Sequence, residues 1–200
     1  MTAAGPGPTP VRAEPRDDAE QVTQLLPDEP AAVEETQGEW SRIRTAYDYR
    51  GWARTAFLQP RPGPGPGQWL PEPRPGENPV DEARTYLGTP YEWGGMTERG
   101  IDCSGLVHMA YRRTGRLVPR DADQQEEAGA TLTEDELRPG DLITYGDEAT
   151  THIAFWLGDG RILHSTGRDS GIGVVEELEP ASLRARRRKL VRLEHRASLD

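Results

Sequence analysis

The sequence predicts two folded regions in series, a small all-β barrel followed by an α+β domain, and three observations predict it. Between residues 11 and 59, short runs with strand character alternate with turn signals. Residues 60–79 hold 12 of the chain's 22 glycines and 18 prolines, the composition of a linker. From residue 80 onward helical patterns come first, and short apolar runs divided by Gly and Asp come after, the order of an α+β domain. A length of 200 residues suits two small domains, and the modest 34% apolar content reflects the Pro/Gly segment. The expected boundaries are 9–59 for the barrel, 60–79 for the linker and 80–196 for the second domain.

In the first region the strand candidates are Gln21 to Leu26, Ala31 to Thr36, Trp40 to Thr45 and Arg50 to Ala53. Turns are expected at Pro27-Asp28, Gln37-Gly38 and around Tyr47-Asp48. In the second, Val80 to Leu87 reads as a short helix, with Asn78 or Asp81 near its start and Pro79 where a first turn tolerates it. Residues 103–114 make a stronger helix: Leu106, Met109 and Ala110 share a face, Asp102 or Ser104 caps the start, and Gly115 ends it. Leu142 to Tyr145, Ile153 to Leu157, Arg161 to His164 and Gly173 to Val175 then read as strands.

The formal charge of −10 repels polyanions at long range and argues against a nucleic-acid partner. The basic run of Arg184, Arg186, Arg187, Arg188, Lys189 and Arg192 reads as the solvated face of a terminal strand or helix. No stretch approaches the length and apolarity of a membrane span. Met1 to Pro10 lacks the basic and apolar regions of a secretory signal, so a cytoplasmic location is expected. The single cysteine, Cys103, agrees with a reducing compartment.

That cysteine opens a predicted helix, directly after Asp102 and before Ser104-Gly105. The free amides and dipole there are expected to lower the thiol pKa. A thiolate needs a base, and four histidines are available. His108 lies five residues further along the same helix, rotated away from Cys103, and reads as a surface or supporting residue. His195 sits in the charged tail. His152 and His164 remain, on neighbouring strands joined through Gly158-Asp159-Gly160.

Counting along that hairpin makes a test. With Gly158 opposite Arg161, an uninterrupted register places the two imidazoles on opposite faces of the sheet. With Leu157 opposite Arg161, Ala154 faces His164 and both imidazoles share one face as diagonal neighbours. An odd-length connection or an equivalent bulge is therefore expected, with one histidine accepting the cysteine proton and the other orienting it. One Cys and two His could also make three zinc ligands. Their spacing is not that of clustered zinc motifs and there is no second cysteine, so no metal and no cofactor is expected.

Several motifs then fall in order: Tyr91-Glu92-Trp93-Gly94-Gly95, Asp102-Cys103-Ser104-Gly105, Pro119-Arg120-Asp121-Ala122-Asp123-Gln124, Leu137-Arg138-Pro139-Gly140-Asp141-Leu142, Thr151-His152-Ile153-Ala154 and His164-Ser165-Thr166-Gly167. Together they resemble the NlpC/P60 cysteine peptidases over about residues 80–178. The first region, with Gly38-Glu39-Trp40 turning into a strand and Tyr49-Arg50-Gly51-Trp52, resembles the bacterial SH3 (SH3b) domain. The resemblance implies a papain-like domain with Cys103 as nucleophile, His152 as general base and His164 as the third, orienting member. It implies that Tyr91 lies beside the nucleophile and polarises the reacting carbonyl, opposite the Cys103 amide.

An SH3b module ahead of an NlpC/P60 domain resembles the subgroup that cleaves between γ-D-glutamate and a diamino acid in peptidoglycan peptides with a free N-terminal L-alanine. The likeness implies Asp102 and Asp121 as carboxylates for the ammonium and Ser104 as a hydrogen-bond partner of the D-glutamate carboxylate. Arg120 either touches substrate or pairs with Asp121 or another acid. Tyr49, or else Tyr47, is implied to reach the site from the barrel. The expected function is hydrolysis of cell-wall-derived peptides for recycling. The rival readings are an exported wall-remodelling hydrolase and a non-catalytic peptidoglycan-binding protein.

Overall fold

The computed structural model describes residues 2–4, 7–60, 77–168 and 172–193. Most of the expected linker, residues 61–76, and His195 lie outside the described residues. The chain divides into two compact units, residues 1–70 with 93–97 and residues 71–92 with 98–200.

The first unit is all β. Strands β1 (Thr2–Ala4), β2 (Thr9–Arg12), β3 (Gln21–Leu25), β4 (Pro30–Gln37), β5 (Trp40–Thr45), β6 (Arg50–Arg54) and β7 (Leu58–Pro60) form a seven-stranded antiparallel sheet among the described residues, in the order β3-β2-β6-β5-β4-β1-β7. Alternation along β5 and its neighbours turns Val11, Leu25, Ala31, Ile43, Ala53 and Leu58 into one small core. The β4–β5 hairpin closes through Gly38, whose φ of 58° suits a residue without a Cβ. Trp93 to Thr97, including β8 (Met96–Thr97), belong to this unit: the Gln24 side-chain oxygen accepts from the Met96 amide at 3.0 Å.

The second unit carries the helices. Helix α1 (Pro79–Arg84) starts at Asn78, whose side chain accepts from the Val80 amide at 3.0 Å. It stops three residues before the expected Leu87, in a turn that ends at Gly88 with φ 82°. After β9 (Gly100–Ile101) comes α2 (Cys103–Arg113), buried from Cys103 to Arg112. A helix hidden on every side needs no polar stripe, and this one packs against α1 and two strands. Next come α3 (Ala122–Ala128), β10 (Ala130–Leu132), β11 (Leu142–Tyr145), β12 (His152–Gly158), β13 (Arg161–Thr166), β14 (Gly173–Leu178), α4 (Ala181–Arg184) and β15 (Arg187–Arg192). The strands make a six-stranded antiparallel sheet among the described residues, ordered β10-β15-β11-β12-β13-β14.

One face of this sheet holds Ile143, Tyr145, Ala154, Ile162 and Leu190 under Leu132, Leu137, Trp156 and Leu183. Alternation puts Ile153, Phe155 and Leu163 on the other, where α2 packs and Tyr111 stacks on Phe155 at 6.2 Å. The basic run is the last strand and its approach, and it is not merely solvated. Arg184 and Arg187 pair with Glu179, Arg186 with Asp147, Arg188 and Lys189 with Glu126, and Arg192 with Asp141. No helix among the described residues is long and apolar enough to cross a membrane.

Candidate active site

Cys103 is the first residue of α2, and the helix begins there because Asp102 caps it. The Asp102 Oδ1 accepts from the Gly105 amide at 2.6 Å. Cys103 is buried, 7% exposed as a residue. The expectation of a lowered pKa is corrected: burial, followed by the charge of Asp102, pushes the thiol up to about 12. Hydrogen bonds from the Ile153 and Ser104 amides and the nearby Arg120 favour the thiolate but are outweighed. The Ile153 amide also locates the sulfur, beside the residue that follows His152.

Tyr91 lies near this thiol. Burial and then the proximity of Cys103 raise its pKa, so it stands as a neutral phenol able to donate. A bridge between Tyr91 and Ile101 fixes its backbone. A Cβ added to Gly167 would come within 3.0 Å of its ring, so that glycine lets the chain pass close over the tyrosine.

The hairpin that carries the histidines uses the bulge. Phe155 faces Leu163 and Trp156 faces Ile162, but Gly158, not Leu157, faces Arg161. Leu157 is the extra residue, and the turn itself is the two residues Asp159 and Gly160, with φ of 51° and 74°. Continuing the register by one step puts Ala154 opposite His164 and both imidazoles on one face. There the His152 Nε2 lies 2.7 Å from the His164 Nδ1. The Tyr145 ring lies 5.7 Å from that of His152. Burial, with the other imidazole and Arg168 adding to it, pushes His152 down to about 3. Burial also lowers His164, although a carboxylate opposes it. Both rings are therefore neutral near pH 7.

The carboxylate is Glu177, which sequence reasoning missed. Its Oε1 lies 2.9 Å from the His164 Nε2, and the Arg168 Nη2 donates to both of its oxygens at 2.6 and 2.7 Å. The signal was available in strand counting: β13 and β14 pair His164 with Val175, so residue 177 is the diagonal neighbour on the same face.

Three of the expected substrate ligands, Asp102, Ser104 and Arg120, bond to one another. Arg120, 1% exposed, donates to the Asp102 Oδ2 at 2.7 Å, the Asp102 Oδ1 at 2.9 Å and the Ser104 Oγ at 2.9 Å. Ser104 in turn donates to Asp102 at 3.3 Å. Asp102, Ser104 and Arg120 therefore form an internal polar cluster that holds the start of α2. The Asp102 carboxylate and the Ser104 hydroxyl, expected to meet the ammonium and a carboxylate of the substrate, are thus also bonded within the protein. Asp121 is half-buried at the start of α3, where its carbonyl accepts from Gln125. Tyr49 lies in the first unit, its ring 6.2 Å from Tyr47, whose hydroxyl meets Thr23 at 3.1 Å.

His108 is no surface residue. It is fully buried, its Nδ1 lies 2.9 Å from the Val118 carbonyl, and burial takes it down to about 3. Among the described residues no group of three or more His, Cys, Asp or Glu side chains is arranged to hold a metal ion.

The NlpC/P60 family model matches residues 88–187, half of the chain, and the bacterial SH3 domain model matches residues 7–59. The bifunctional muramidase/DL-endopeptidase CwlT of Bacillus subtilis is 42% identical over 101 residues, covering 48% of this chain and 30% of its own. The gamma-D-glutamyl-L-lysine dipeptidyl-peptidase of Bacillus cereus is 32% identical over 100 residues, again 48% and 30%. This chain thus spans 30% of the length of these two curated relatives. Among solved structures, an NlpC/P60 family protein from Bacillus cereus shares the fold over 96% of this chain and 63% of its own, with TM-score 0.55 and 21% identity. The peptidoglycan hydrolase RipB of Mycobacterium tuberculosis matches 68% of this chain and 75% of its own, with TM-score 0.53 and 27% identity. A cysteine at a helix start, a paired imidazole on the adjoining strand and a family model covering half the sequence lead to one statement: the chain belongs to the NlpC/P60 family of cysteine endopeptidases.

Proposed function

We propose that the chain hydrolyses the γ-D-glutamyl–diamino acid bond of peptidoglycan-derived peptides that carry a free N-terminal L-alanine. The observation that carries the reaction is the Cys103 thiol hydrogen-bonded by the Ile153 amide, one residue from an imidazole that a second imidazole orients. A neutral thiol and a neutral imidazole make attack and proton transfer one event. As Sγ bonds to the γ-carbonyl carbon, its proton passes to the His152 Nδ1. The tetrahedral oxyanion meets the Cys103 amide, which a helix's first turn leaves without an intrahelical partner, and the Tyr91 phenol. The diamino acid departs as an amine with the proton from His152, leaving a thioester. Water, giving its proton to the same imidazole, then bonds to the thioester carbon; the C–S bond breaks, the L-Ala-D-Glu dipeptide leaves with a new γ-carboxylate, and the imidazole returns the proton to Sγ.

The substrate class is supported by the names of the curated relatives, which include a gamma-D-glutamyl-L-lysine dipeptidyl-peptidase. With Asp102 neutralised by Arg120, Asp121 is the carboxylate we assign to the substrate ammonium. We assign the activity to released peptides in the cytoplasm, that is, to recycling.

Mass spectrometry of a synthetic L-Ala-γ-D-Glu-diamino acid tripeptide, with and without N-terminal acetylation, tests this. The expected result is cleavage after D-glutamate in the free peptide, resistance of the acetylated one, and no turnover by Cys103→Ala. Cleavage of intact sacculi that ignores acetylation would assign wall remodelling instead, and undiminished turnover by Cys103→Ala would remove the nucleophile.

A further inference from the structure

The geometry points to Glu177 as a positioning residue that sets which nitrogen of each imidazole carries its proton, with Arg168 holding Glu177 ionised. The inference rests on the cysteine-peptidase reading of the same site and deepens it. An ionised carboxylate only accepts hydrogen bonds. At 2.9 Å from Glu177, the His164 Nε2 must therefore carry the hydrogen. A neutral His164 then offers its Nδ1 only as an acceptor, and at 2.7 Å the His152 Nε2 must be the donor. The His152 Nδ1 is left with a free lone pair, and that is the nitrogen able to take the thiol proton. One carboxylate thus fixes two rings in series.

The groups around this chain agree with the assignment. Facing Glu177 are His164 on β13 and Arg168 just beyond it. Facing the imidazoles are Glu177, Arg168 and the Tyr145 ring on β11. Burial pushes Glu177 up, but the hydrogen bonds from Arg168 and His164 bring it below the usual carboxylate range. Its neighbour Glu176 serves as an internal contrast. On the opposite face of β14, it pairs with Arg84 at 2.6 Å and takes no part in the chain.

Glu177→Gln tests the assignment without removing the side chain's shape. An amide offers one oxygen and two N–H donors where two oxygens stood. If its NH2 group turns to His164, the order reverses: His164 carries its hydrogen on Nδ1, His152 carries its own on Nδ1, and the base nitrogen is capped.

Long-range 1H–15N NMR of the full chain should show both rings of the wild type as the Nε2–H tautomer, and His152 of Glu177→Gln partly or wholly as Nδ1–H. On the tripeptide, kcat should fall by about 10²–10⁴-fold with KM within about twofold, and Glu177→Asp should recover much of the loss. Arg168→Gln should act in the same direction, more weakly. Wild-type tautomers and wild-type kcat in both Gln variants would overturn the inference. The spectra need no substrate, so an inactive wild type with the expected tautomers would count against the proposed peptide and not against Glu177.

Discussion

Two arginine–carboxylate pairs flank the reacting atoms, and they are built for different work. Arg120 and Asp102, with side chains 1% and 9% exposed, meet at 2.7 Å and both bond the Ser104 hydroxyl, while Asp102 also accepts from the Gly105 amide. The bonds from Gly105 and Ser104 to the Asp102 Oδ1 hold the first turn of α2, so the output of this cluster is the position of one sulfur. Arg168 and Glu177, 34% and 26% exposed, meet at 2.6 Å and leave an oxygen to share with His164. Its output is a proton pattern. The same chemical pair is an anchor when sealed, and a control element when half-open with a ring nitrogen at its edge.

The anchor reading is broken or sharpened first by Asp102→Ala. It removes a helix cap and leaves the Arg120 guanidinium buried without its carboxylate, so a loss of about 3–5 kcal/mol in urea unfolding is expected. A loss below about 1 kcal/mol would mean that Arg120 had found another partner and that the pair anchors nothing. Glu177→Gln should leave stability nearly unchanged while activity collapses, the reverse signature.

Acid comes next. His108 and His152 are held neutral by burial, each near 3 against an ordinary 6.5. Below pH 6.5 the unfolded chain takes up protons that the folded chain refuses. Their contribution is therefore complete above that pH and is lost as pH falls toward 3. Denaturation midpoints measured from pH 7 to pH 4 should decline, and His108→Asn should flatten the decline without touching the reacting atoms. A profile equally steep in that variant would show that His108 does not contribute. The smallest effect belongs to a third pair, Arg186 and Asp147, whose side chains are 44% and 72% exposed. Arg186→Ala should change stability by about 0–1 kcal/mol and lose even that in high salt. A larger change would mean that exposure does not rank these pairs.

How much of this was legible follows from where each signal lives. The cap at Asp102 is written locally, as an acid just before a helix with glycine three positions on, and the observed α2 starts there. The β12–β13 register could be argued because one residue more or less decides a face. The sequence left open whether the loop or a bulge supplies it, and a two-residue turn with a bulge is observed.

Helix α3 was missed because Ala122–Ala128 carries no apolar stripe. Its buried positions are Gln125 and Glu126, held by long-range bonds such as that from the Gln125 amide to the Ser104 carbonyl at 3.0 Å. The height of the Cys103 pKa was unreadable for a related reason. The helix start is in the sequence, whereas the burial that overrides it exists only once the chain has folded around the sulfur. The partners of the basic run, Glu126, Asp141, Asp147 and Glu179, are likewise set only when β15 joins the sheet.

The bulge at Leu157 has a consequence for how this hairpin tolerates change. Tips of hairpins are ordinarily the places where a chain gains or loses residues without harm. Here the tip acts as a reading frame: were Leu157, an aliphatic side chain with no part in the chemistry, to enter the ladder opposite Ile162, the register would run on uninterrupted from Gly158–Arg161 and His152 would face away from its companion ring. What this hairpin must keep is thus an offset between two ladders, and the residue that stands unpaired between them matters for its place and not for its chemistry.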